Sequence, residues 1–143
     1  MAYSTQSDLL SRISEATLIQ LTDTTDSGQV DSSIIDSAIA DADALINCMI
    51  SPVYKVPLTE VPQVIRDNSA TIAIYKLHLF RSVDPGVWKD AYGGALDFLK
   101  SVAEGGAALE GNTPEPPASS NIVDASSFNA EVRRFSRTNL KDW

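Results

Sequence analysis

Three features of the chain predict a mainly α fold, a small helical bundle of about four to five helices with a proline-rich crossing segment and an extended C-terminal arm. Long stretches carry apolar residues at three- and four-residue steps, which gathers them on one face of a helix. "SPVYKVPLTEVP" sets Pro52, Pro57 and Pro62 within eleven residues, a spacing that no helix tolerates. From Gly105 the composition turns to "GGAALEGNTPEPPASS", the make-up of a linker. The chain therefore divides into a helical body (1–107), a Pro/Gly/Ser-rich linker (108–120) and a C-terminal arm (121–143). Its 143 residues suffice for one core and not for two independent ones.

The first segment, "STQSDLLSRISEATLIQLT", holds two short helix signals. Ser4 can cap a helix carrying Leu9, Leu10 and Ile13. Ser14 can cap a second that turns Leu18, Ile19 and Leu21 inward, with Glu15 favourably placed in its first turn.

"LTDTTDSGQVDSS" follows, and its aspartates around a glycine raise the question of calcium. With Gly28 at the sixth position of a twelve-residue calcium loop, Asp23 falls at the first, but Thr25 and Ser27 take the third and fifth and Ile34 takes the twelfth. Asp26 stands at the fourth, which points away from the ion. The loop is better read as a turn, with Gly28 at a positive φ and Asp31 as the N-cap of the next helix.

That helix, Asp31 to Ile50, is the clearest in the chain. Ile35, Ala38, Ile39, Ala42, Leu45, Ile46 and Met49 form its apolar stripe, and Asp36, Asp41 and Asp43 are expected on an acidic outer face toward solvent or a channel. Asp41 and Asp43, two positions apart, point about 200° from one another, which argues against paired-carboxylate chemistry. Cys48, alone in the sequence, forms no intrachain disulfide and is expected as a thiol packed in the helix core.

The proline segment is expected to cross the body in extended form, with a short strand at Val53 to Val56, and Pro62 to open the next helix. "PQVIRDNSATIAIYKLHLFRS" begins amphipathic and is apolar on nearly every side from Ile72 to Phe80, which predicts the central buried helix. His78, the only histidine, lies there with no second His or Cys to complete a metal site. Asp84-Pro85 reads as a cap and first-turn proline for a last helix with Trp88, Ala91, Tyr92, Ala95, Leu96, Leu99 and Val102 on one face. Gly93-Gly94 weakens that helix, and would let another backbone come close or permit a bend.

The arm cannot build a core of its own, yet it keeps Ile122, Val123, Phe128, Val132, Phe135, Leu140 and Trp143. It reads as a segment that orders on a partner. The residues assigned to an assembly interface are Phe128, Arg133, Arg134, Phe135, Arg137, Leu140, Lys141 and Trp143.

The net charge of −8 is unevenly placed: residues 1–60 carry nine acids against two bases, residues 61–100 four against five, and residues 101–143 six against four. An acidic amino-terminal half repels phosphate backbones, which argues against a nucleic-acid reader. Plain solubility accounts for the charge, and so would a surface that DNA must slide past. No apolar run approaches the roughly twenty residues of a membrane helix, and "MAYSTQSDLL" has no export signal, so a protein made in the cytoplasm without a membrane partner is expected. The chain has no phosphate loop, zinc spacing, nucleophile elbow or Cys/His pair. No enzyme, cofactor or metal centre is therefore expected.

Taken together, "MAYSTQSDLLSRISEATLIQLTD", "IIDSAIADADALIN", the crossing "YKVPL…VP", "IAIYKL" and the terminal "RRFSRTNLKDW" resemble the Mu-like phage gp36 family, small tailed-phage and prophage proteins of the neck. The resemblance covers most of residues 1–103 in order and the last eleven residues. It implies a head-to-tail adaptor, assembled in the host cytoplasm and resident in the virion neck. Such an adaptor forms a homo-oligomeric ring of about twelve subunits on the portal protein and offers a docking surface to a downstream neck or tail-terminator protein. Packaged DNA would pass through without specific binding. It implies no catalytic residue. Two other classes remain open on the residues: a tail-terminator or completion ring, which would have a sheet-rich body, and a small enzyme with a dispersed carboxylate site, which would show a pocket with buried carboxylates.

Overall fold

The computed structural model describes residues 1–115. It consists of α1 (Gln6–Leu10), α2 (Glu15–Thr22), α3 (Ser32–Ile50), α4 (Gln63–Phe80) and α5 (Val87–Ala103), with no strand among the described residues. The mainly helical class read from the periodicity is the observed one.

Helix α4 lies at the centre and packs against each of the other four. Its six consecutive residues Ser69 to Ile74 are all buried, which is possible only for a helix covered on every side. The burial ends near its C-terminus, where Leu79 and Phe80 are more than half exposed. Helix α3 contributes Ile35, Ala38, Ile39, Ala42, Ile46 and Ile50 to the core, and α2 contributes Leu18 and Leu21. Helix α5 closes the bundle through Ala95, Leu99 and Val102, and its Tyr92 ring stacks on Tyr75 of α4 at 4.2 Å between centroids.

The helix starts follow local hydrogen bonding. Ser14 accepts from the Thr17 amide at 3.2 Å and Asp31 from the Ser33 amide at 2.9 Å, as their sequence positions predict. Helix α1 is capped one residue later than expected: the Thr5 amide donates to Asp8 at 2.8 Å, while Ser4 turns inside. Helix α5 starts later as well. The Asp84 carboxylate accepts from the Gly86 amide, so Asp84 and Pro85 form a turn ahead of the helix, and Gly86 is the N-cap. A Cβ on Gly93 or Gly94 would meet nothing within 4 Å, so close backbone approach does not explain these glycines.

Three expectations are corrected. Cys48 is exposed, because it lies two residues from both Ile46 and Ile50, about 200° around the helix from each buried isoleucine. Val53 to Val56 is not a strand: the Val53 and Tyr54 amides both turn back to the Ile50 carbonyl, prolonging the end of α3. The chain also stays on the body beyond residue 107. Leu109 is buried, its amide donates to the Tyr54 hydroxyl at 2.9 Å, and the Glu115 amide donates to the Val53 carbonyl at 2.8 Å.

Candidate functional site

The aspartate loop between α2 and α3 is organised around Asp23. Its Oδ1 accepts from the Thr25 and Ser27 amides, each at 3.0 Å, and its Oδ2 accepts from the Gly28 amide at 2.6 Å. Gly28 reaches that position with φ +71°. Backbone donors, not acceptors, converge on the loop's centre, so the geometry holds an anion that the chain itself supplies. The Ser27 amide first, with those of Gly28 and Thr25, holds the Asp23 carboxyl below the usual carboxylate range. Asp31 is lowered likewise, chiefly by the Ser33 hydroxyl. The two elements are tied together where the Asp31 amide donates to the Thr22 hydroxyl, which donates in turn to the Leu18 carbonyl.

The acidic face of α3 divides. Asp36 and Asp41 are exposed, as expected of an outer face. Asp43 is not: at 8% exposure it is buried, and its carboxylate accepts from the Tyr3 amide at 2.9 Å and the Ser69 hydroxyl at 2.7 Å. Asp43 stands four residues after Ile39 and three before Ile46, which places it on the edge of the apolar stripe. The Ser4 and Ser69 hydroxyls lie 2.8 Å apart, and the Tyr3 hydroxyl donates to Asn47 while accepting from the Leu58 amide. Burial raises the Asp43 pKa, and the Ser69 and Tyr3 donors only partly offset it. This network fastens the amino terminus to α3, α4 and the crossing segment, and its groups are occupied with one another.

Sequence reasoning missed Tyr3 and Ser69. Ser69 was detectable, since it lies four residues from both Ile65 and Ala73 on the buried side of α4. His78 is buried, with Nδ1 2.9 Å from the Ile74 carbonyl, a helix-internal contact. Buried carboxylates occur at Asp23 and Asp43, on separate elements, each held by its own donors.

Two surfaces of the described residues bear on recognition. One is the exposed side of α3 with Asp36 and Asp41. The other is an apolar groove between the first half of α3 and the end of α4, about 170 Å³ in volume, lined by Ile34, Ser37, Ala38, Asp41, Leu77 and Phe80 among others. The arm residues Phe128, Arg133, Arg134, Phe135, Arg137, Leu140, Lys141 and Trp143 lie outside the described residues.

No helix among the described residues is long and apolar enough to cross a membrane. A comparison with curated proteins finds no match. A comparison with family models finds one, described as Bacteriophage Mu, Gp36, which matches residues 3–126.

Proposed function

The chain belongs to the bacteriophage Mu Gp36 family, a family of phage structural proteins, and from that membership we propose that it is a head-to-tail adaptor of a tailed phage. In this reading copies of the chain form a ring on the portal, extend the DNA channel and offer a docking surface to the tail. The observation that carries it is the extent of the family match, which runs from Tyr3 through the whole helical body and on to residue 126. The body and the start of the arm are thus matched as one unit.

Three physical features support the reading. The five-helix body weighs against the tail-terminator class, for which a sheet-rich body is expected. Asp36 and Asp41 give α3 a charged face suited to a channel that DNA passes without adhering. The polar clusters at Asp23 and Asp43 are consumed in holding the fold, and no group of three or more potential metal-ligating side chains occurs among the described residues.

The test is a phage from which this chain is deleted. Heads should fill with DNA and accumulate without tails, and electron microscopy of wild-type necks should place a ring of this chain against the portal. Tailed, infectious particles formed without the chain would overturn the proposal.

A further inference from the structure

The groove between α3 and α4 presents apolar surface with nothing of the described chain upon it. Phe80 on its rim is 57% exposed and the adjacent Leu79 54%. Two such neighbours directly after the buried Leu77 and His78 leave a patch of apolar surface suited to a partner. The groove's volume of about 170 Å³ is that of a site for one phenyl ring, since an apolar cavity of roughly 150 Å³ takes benzene. Its polar rim carries Asp41 and Lys76, neither of which has an ion-pair partner within 4 Å among the described residues.

The chain beyond Glu115 supplies a matching group. Phe135 is flanked by Arg133, Arg134 and Arg137, with Glu131 four residues before it. A phenyl ring between arginines, with one acid nearby, complements an apolar slot edged by an aspartate and a lysine.

We propose that the α3/α4 groove of each copy receives Phe135 from the arm of the next copy in the ring, an inference that rests on the ring reading above. The ring reading makes the next copy the source of the arm, and the cross-link below separates this from an arm folded back on its own body. The groove lies along the first half of α3, whereas Glu115 is tied to Val53, just past the other end of the same helix. From Ser37 to Ile50 alone is about 20 Å along the helix. Donor and acceptor at opposite ends of one body make a heterologous pair of patches, the kind that closes a ring. Phe135 lies twenty positions after Glu115, a span of about 66 Å when extended. A body of this size has a radius of gyration of about 13 Å, so the arm is long enough to reach across an adjacent copy.

The test uses full-length protein in a Cys48→Ser background. One preparation carries Ser37→Cys in the groove, a second carries Ser136→Cys beside Phe135, and the two are mixed and treated with a short bis-maleimide. The 37–136 product between chains should exceed either like-with-like product about tenfold. Phe80→Asp in the first preparation, or Phe135→Ala in the second, should each abolish most of that excess. Phe80 is largely exposed, and an unchanged helical circular dichroism spectrum checks that Phe80→Asp still folds. A third preparation carries both cysteines in one chain. The proposal is overturned by three results: no excess of the mixed product, an excess indifferent to both substitutions, or cross-linking of the third preparation within single chains while the mixed pair gives none. If necks need this chain yet show no 37–136 product, the groove assignment fails while the adaptor reading stands. If the product forms but necks assemble without the chain, the adaptor reading fails instead.

Discussion

The Tyr3 amide donates to the Asp43 carboxylate at 2.9 Å across forty residues of sequence, and this bond fastens the amino terminus to the middle of α3. Ser69 of α4 donates to the same carboxylate, so one buried acid joins three parts of the chain. Asp43→Ala leaves the Tyr3 amide and the Ser69 hydroxyl without their acceptor and should destabilise the body by about 1–3 kcal/mol in chemical denaturation. Asp43→Asn keeps an acceptor and should cost much less. The folded-state pKa of Asp43 is raised, so this group's contribution is most favourable at low pH and is lost as pH rises through that pKa. Stability relative to Asp43→Asn should therefore be better for the wild type in acid than at pH 7. A stability difference between the two proteins that is the same at both pH values would refute this account.

Asp23 and Asp31 have the opposite sign. Their folded-state pKa values are depressed by backbone and hydroxyl donors, so their stabilisation is present above the ordinary carboxylate pKa and is lost as pH falls through the lowered one. Asp23→Ala should lower Tm at pH 7 and lose that effect in strong acid. Calcium should not raise the Tm of the wild type, because the loop directs amides to its centre, and a calorimetric titration with micromolar affinity would contradict it.

Gly94→Ala should stabilise α5. The position is exposed and helical, and a Cβ there meets nothing within 4 Å, so alanine gains about 0.5–1 kcal/mol of helix propensity without a clash. A thermal melt that shifts downward would show that the glycine has a role in packing.

The purified protein should show negligible retention of duplex DNA at physiological salt. With Asp36 and Asp41 outward and seven net negative charges in residues 1–60, there is no counterion release to drive nonspecific binding. Salt-sensitive DNA binding in a filter assay would overturn both this expectation and the channel reading.

Deleting residues 121–143 should leave a folded helical body, since the five helices and the core among the described residues all precede the deletion. It should also yield DNA-filled heads without tails. Burial of a residue such as Phe is worth roughly 1.5–3 kcal/mol, a large term to remove from an assembly contact. Normal necks built from the truncated chain would show that the arm is dispensable.

Most of the fold was legible because it rests on periodicity. The stripe of α3, the encircled middle of α4 and the Ser14 and Asp31 caps are local patterns, and the structure contains them. What misled was tertiary. Asp43 looked like one more surface acid, because nothing near it in sequence announces Tyr3 and Ser69 as its partners. Cys48 looked buried from its apolar neighbours, although its angle around the helix points outward. "GGAALEGNTPEP" has the composition of a free linker, yet Leu109 finds the Tyr54 hydroxyl 55 positions back in the chain. The groove was invisible for the same reason, as its lining comes from two helices far apart in sequence.

The seat of residues 109–115 on the crossing segment also decides what happens under tension. A pull on the chain beyond Glu115 meets the Glu115–Val53 bond first, then the Asn112 side-chain amide on the Glu60 carbonyl at 2.8 Å, and only then the Leu109–Tyr54 bond. Because they hold positions 115, 112 and 109 in turn, these bonds are loaded one after another. Slack is paid out from this clasp while the core helices keep their packing, and a subunit tugged by its arm would lengthen before it unfolded.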